Sequence, residues 1–123
     1  MSGTHGCVLV VDDDPDLGEI LSYVLERAGY ASVVVENGQE AMKQLRGGLQ
    51  PCLILLDLMM PVMNGWQFRA AQSQDPALSA IPVVILTADW ESLDRAAGLG
   101  VAACLAKPVE PNALFSLVRR YCG

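Results

Sequence analysis

A chain of 123 residues, 52% hydrophobic and 18% charged, is long enough to bury one core without disulfide staples and too apolar for disorder. Its net charge of −6, with Lys43 and Lys107 as its only lysines, argues against a nucleic-acid surface, which needs clustered Lys and Arg to meet phosphates. No apolar run approaches the roughly 20 residues that cross a bilayer, and Met1 to Gly6 lacks the basic start and long apolar stretch of a secretory leader; the expected address is the cytoplasm, away from membranes.

The chain then alternates apolar runs with amphipathic stretches. Cys7–Val11 predicts a first strand. Asp14 followed by Pro15 marks a helix start, with Leu17, Ile20, Leu21, Val24, Leu25 and Ala28 on one face and Gly29 as the stop. Ala31–Val35 predicts a second strand; Asn37 caps a helix that turns Ala41 and Leu45 inward and ends at Gly47-Gly48. Cys52–Leu56 is the third strand, with a helix opening near Asn64-Gly65. Pro82–Leu86 is the fourth, followed by a helix over about Glu91 to Ala97. Val101–Leu105, Ala-rich and weakest in strand propensity, is the fifth, and the last helix starts at Glu110-Pro111 with Leu114, Leu117, Val118 and Tyr121 at helical spacing. Continuous rather than alternating hydrophobicity predicts strands covered on both faces, as in a parallel sheet. Five β-α units in so short a chain predict an open, doubly wound α/β sheet filling residues 1–123 as a single domain.

Cys7, Cys52, Cys104 and Cys122 form no C-x-x-C pair, and all but Cys122 sit in apolar runs. They are expected to be free thiols acting as small hydrophobes, with Cys122 exposed and without a role. His5 is expected to be a tail residue.

The chemistry lies at the strand ends. Asp12, Asp13 and Asp14 follow the first strand, Asp57 the third, Thr87 the fourth and Lys107 the fifth. In open α/β sheets ligands bind in the crevice beyond the carboxyl ends of the strands, and the flavodoxin-like order places the first and third strands side by side there. Carboxylates brought together this way repel unless a cation lies among them. Their hard oxygens suit Mg²⁺, and no Cys/His cluster competes for a softer metal. An Asp so neutralised is a competent nucleophile toward phosphorus, and an ammonium and a hydroxyl suit the equatorial oxygens of a transferring phosphoryl group. Asp14 is expected to be a cap alone.

Four segments, VLVVDDDPDL (8–17), LILLDLMMPVMNGWQF (53–68), VVILTA (83–88) and CLAKPV (104–109), resemble the receiver domain of two-component response regulators, in order and spacing across essentially the whole chain. The resemblance implies a flavodoxin-like (βα)5 fold with strand order 2-1-3-4-5. It also implies phosphoryl transfer from a histidine kinase or histidine phosphotransfer protein, slow self-dephosphorylation rather than enzymatic turnover, and a downstream effector at about 91–121. It makes Asp57 the phosphoacceptor. Asp13 becomes a direct Mg²⁺ ligand, with Mn²⁺ as substitute metal, Asp12 acts mainly through water, and the backbone carbonyl of Met59 completes the protein's share. Thr87 matches the switch hydroxyl and Lys107 the family's lysine, with a cis peptide before Pro108.

Two positions stand out against that pattern. Cys104 occupies the place of a Tyr or Phe whose ring moves on activation, so output is expected to depend more on Thr87 and the loop after it. Met59 and Asp89 fall where side chains face the attacking water. Met59 cannot hydrogen-bond that water through its side chain, which predicts a long-lived phosphoryl group.

Two other classes fit less well. Dehalogenase-like phosphatases use D-x-D-x-T, whereas Asp57 is followed by Leu58-Met59-Met60-Pro61 without a second Asp as general acid. A nucleotide or flavin binder would carry a glycine-rich phosphate loop after the first strand, and none is present. A receiver that only binds partners would lack part of the acceptor set, which here is complete. The pattern fits a stand-alone regulator or a piece of a larger one.

Overall fold

The computed structural model describes residues 6–60, 62–98 and 100–123; the expectations for His5 and Pro61 lie outside them. Strands β1 (Cys7–Val11), β2 (Ala31–Val35), β3 (Leu53–Asp57), β4 (Val83–Thr87) and β5 (Ala103–Ala106) alternate with helices α1 (Pro15–Arg27), α2 (Gly38–Arg46), α3 (Gly65–Ser73), α4 (Trp90–Ala97) and α5 (Pro111–Cys122). All pairings are parallel, in the order β2-β1-β3-β4-β5, as in a flavodoxin-like fold.

Side chains alternate across the sheet and build two cores. Val8, Val10, Leu53, Leu55, Val84 and Leu86 meet Leu21 and Leu25 of α1 and Leu114 and Val118 of α5. Leu9, Val11, Ile54, Leu56 and Ile85 meet Ala41, Met42 and Leu45 of α2, Phe68 of α3 and Ala96 of α4. Each fully buried Leu, Ile or Val contributes about 1.5–3 kcal/mol, which explains why the three central strands read as unbroken apolar runs.

Helix starts follow the predicted caps. The Asp14 carboxylate accepts from the amides of Asp16 and Leu17, Asn37 from Glu40, and Glu110 from Asn112 and Ala113. Asn64 and Gln67 form a reciprocal capping box. Sequence patterning missed two features. Ile20, placed by periodicity on the inner face of α1, is 59% exposed. Gln72 is fully buried, donating to the carbonyls of Leu78 (2.9 Å) and Ile81 (3.1 Å), so it straps the 74–82 connection to α3.

The cysteine expectation is corrected. Cys52 and Cys122 form a disulfide, their Cα atoms 5.3 Å apart, while Cys7 and Cys104 are free. Cys122 is accordingly half-buried, not exposed. Cys52 enters β3 and Cys122 ends α5 on the same face of the sheet, so packing brings together two residues separated by 70 positions. No local spacing carries that signal.

Candidate functional site

Strand register assembles the site. Val11 lies opposite Leu56, Asp57 opposite Leu86 and Thr87 opposite Ala106, so Asp12, Asp57, Thr87 and Lys107 end their strands along one edge. The ends are tied by backbone bonds, from Asp12 N to the Val35 carbonyl (3.0 Å) and from Lys107 N to the Thr87 carbonyl (2.9 Å). Carboxylate oxygens of Asp12, Asp13 and Asp57 lie within 4.8 Å of one another. Asp12 and Asp57 are buried and Asp13 is exposed.

One ammonium faces this acidic set. Lys107 Nζ lies 2.8 Å from Asp12 Oδ2 and 3.5 Å from Asp57 Oδ1. Asp12 Oδ1 accepts from Asp14 N at 2.9 Å, so both Asp12 oxygens are engaged, and its direct pairing with Lys107 is a feature the sequence did not foretell. Asp57 Oδ1 also accepts from Met59 N at 3.2 Å. Burial, then the Asp12 carboxylate, push Asp57 up to about 6, against the pull of Lys107 and the Met59 amide, with Asp13 adding to the rise. Burial alone would lower Lys107, but its hydrogen bond to Asp12 and the charge of Asp57 hold the ammonium above its ordinary value.

Three carboxylates against one ammonium leave an excess of negative charge in a partly buried site. That surplus, made entirely of hard oxygen donors, fits a divalent cation.

The flanking residues complete the geometry. Thr87 is buried, and its Oγ1 accepts from Asp89 N at 3.0 Å. The exposed Asp89 caps α4 by accepting from Glu91 N. A Cβ on Gly65 would stand 2.6 Å from the Asp57 carbonyl oxygen, so only glycine lets α3 start against the end of β3. The loop between them shows Met59 (63%) and Val62 (72%) to solvent, with Val62 at φ 69°. The Lys107-Pro108 peptide is cis. On the α1/α5 side of the site lies a groove of about 590 Å³ that Leu17, Ile20, Val24, Pro108, Val109 and Leu114 help to line. On the α1/β2 side lies another of about 720 Å³, bordered by Asp13, Glu19, Glu36 and Glu40.

A parallel sheet in this order, with three carboxylates and a lysine at its carboxyl edge, defines a class of phosphorylated signalling domains, and sequence comparison agrees. Residues 8–119 match the family model described as the response regulator receiver domain, and the chain belongs to that family. The DNA-binding response regulator MtrA of Mycolicibacterium smegmatis is 40% identical over 114 residues, covering 91% of this chain and 48% of that protein; the chain spans about half the length of the MtrA relatives it matches. Among solved structures, the signal receiver domain of a histidine kinase from Syntrophus aciditrophicus superposes with TM-score 0.86 at 34% identity, covering 95% of this chain and 89% of that one. The receiver domain of the sensor histidine kinase PA1611 from Pseudomonas aeruginosa, with magnesium coordinated in its active-site cleft, does so with TM-score 0.86 at 25% identity, covering 96% and 98%.

Proposed function

We propose that this receiver domain takes a phosphoryl group onto Asp57 from a phosphohistidine on a histidine kinase or phosphotransfer protein, and that the modification switches its affinity for a downstream partner. The observation that carries the assignment is the buried Asp57 carboxylate at the convergence of Asp12, Asp13 and Lys107. An Asp57 oxygen attacks phosphorus, the N–P bond breaks, and the imidazole leaves with the bonding pair. Met59 N and Lys107 hold Asp57 Oδ1 in place, and the Lys107 ammonium also meets charge on the phosphoryl oxygens. Thr87, one residue further along the neighbouring strand, is the hydroxyl able to turn from Asp89 N toward the new group.

Asp13, Asp57 and the Met59 carbonyl would hold Mg²⁺, or Mn²⁺ in its place, with Asp12 anchoring Lys107 and acting on the metal through water. When bound, the cation neutralises the clustered carboxylates and the equatorial oxygens of the phosphoryl group. The protein acts once per phosphoryl group and returns slowly to its resting state, as a switch rather than a turnover enzyme.

The apolar groove beside Lys107, with Ile20 and Tyr23 exposed on α1, supports a protein donor. The 91–121 face is the site for the effector. We assign the whole of 1–123 to this one domain, working in the cytoplasm without nucleic-acid contacts of its own. That fits the net charge of −6, and among the described residues no helix is long and apolar enough to cross a membrane.

Incubation with acetyl phosphate and Mg²⁺, read by intact mass, tests the assignment. The expected gain is one phosphoryl group, absent in Asp57→Asn and after chelation. An unchanged gain in Asp57→Asn would move the acceptor elsewhere.

A further inference from the structure

The disulfide lies at the pole of the sheet opposite the acidic site, where the phosphoacceptor chemistry has no use for it. Cys52 immediately precedes β3, and Asp57 closes that same strand, about 16 Å away at the usual strand rise. We propose that Cys52 and Cys122 form a reversible redox site, whose reactants are small thiol–disulfide couples such as glutathione, and that it fastens or releases the last turn of α5.

The packing of α5 makes its last turn the responsive part. Leu114 and Val118 are fully buried and hold the body of the helix to the sheet. Beyond Val118, Arg119 and Arg120 are exposed, and Tyr121 and Cys122 are only half-buried. The covalent link to Cys52 is therefore the strongest tie on this turn. Both Cys52 and Cys122 are only half-buried, and it is disulfides shielded from attack that exchange slowly. In a reducing compartment, disulfides of ordinary proteins are characteristically transient and redox-responsive.

The other cysteines are less suited to the exchange. Cys104 packs against the α2/α3/α4 core, and at Cys7 it is the backbone carbonyl that lies against the Cys52 sulfur, at 3.3 Å. Burial raises both thiols above their ordinary value and thins their thiolate population.

Closure starts when the thiolate of Cys52 or Cys122 attacks one sulfur of a small disulfide. One small thiolate leaves and a mixed disulfide forms. The second cysteine's thiolate then attacks the protein sulfur of that mixed disulfide, the protein S–S bond forms, and the second small thiolate departs. The two cysteines lose two electrons and two protons in total, and the small disulfide is reduced to two thiols. Opening is the reverse.

The test equilibrates the full chain in glutathione buffers from oxidising to reducing, quenches with acid and alkylates under denaturing conditions for intact mass. The oxidised chain is expected to take two alkyl groups and the reduced chain four, with a midpoint inside the buffer range. Amide exchange at Arg119–Cys122 is expected to quicken at least tenfold on reduction, while β1, β3 and β4 stay unchanged. Cys122→Ser should show the fast exchange in every buffer, and Cys104→Ser should follow the wild type. Four alkylations in every buffer, two in every buffer, or equal exchange of the last turn in both states would overturn the proposal. Phosphorylation of Asp57 by acetyl phosphate is independent of both readouts, so failure there would count against the phosphoacceptor assignment alone.

Discussion

Asp57 is held in conflict: it is buried beside a second carboxylate, and one lysine is shared between the two. Its pKa of about 6, against an ordinary 3.8, means that the folded chain holds this proton more tightly than the unfolded chain. The stability it contributes is present below about pH 4 and is lost as pH rises through about 6, an amount of about 3 kcal/mol in the metal-free protein. A divalent cation held by the clustered carboxylates would take the place of that proton. Magnesium chloride should therefore raise Tm more at pH 7 than at pH 5, and equal increments by calorimetry would contradict the picture. Two residues on, Met59 fixes Asp57 through its amide while its exposed side chain offers no polar group to an incoming water. Met59→Asn should shorten the lifetime of the phosphorylated protein several-fold, followed by loss of the phosphoryl mass over time. Asp57 was legible in the sequence because it closes an apolar strand, and Met59 through the family resemblance at the position two beyond it. The Asp12–Lys107 pair was not, since it joins residues 95 positions apart through a register that only the sheet defines.

Among the elements, the caps at Asp14, Asn37, Asn64 and Glu110 appear where the sequence placed them, because a cap is a bond between residues two or three positions apart. Strand ends were less legible. The third and fourth strands extend through Asp57 and Thr87, one residue beyond the apolar runs, since ladder bonds use the backbone and are indifferent to a polar side chain. Ile20 shows the converse error: helical periodicity marks an apolar stripe but not how much of it a neighbour covers. Gln72 was invisible because its partners are carbonyls of the connection that follows α3. Gln72→Leu should lower stability by about 2–3 kcal/mol, as the buried bond to the Leu78 carbonyl and the partly buried one to the Ile81 carbonyl are both lost. Urea unfolding should show a lower midpoint with an unchanged slope.

For the molecule as a whole, two apolar cores clamp the sheet, and the disulfide adds a covalent link between its third strand and its final helix. The closed loop of about 70 residues restricts the unfolded ensemble far more than the native one. Reduction should therefore destabilise the protein by about 2–4 kcal/mol, read as a drop in the urea midpoint with and without reductant. The same enclosure determines where chemistry can occur. The described acidic cluster is confined to one pole of the sheet, and the redox pair sits at the other, so charge and thiol chemistry act on different ends of the same central strand.

The sequence by itself determined the alternation of strands and helices, the caps, and which polar residues close each strand, because each depends on neighbours within a turn or a run. Through its motifs it also pointed to the family. Only the tertiary structure decided that Lys107 pairs with Asp12 more closely than with Asp57, that Ile20 faces a groove, that Gln72 is an internal strap, and that Cys52 meets Cys122. Each of those contacts is made across the sheet or between elements, where distance in space is set by packing and register and bears no relation to distance along the chain.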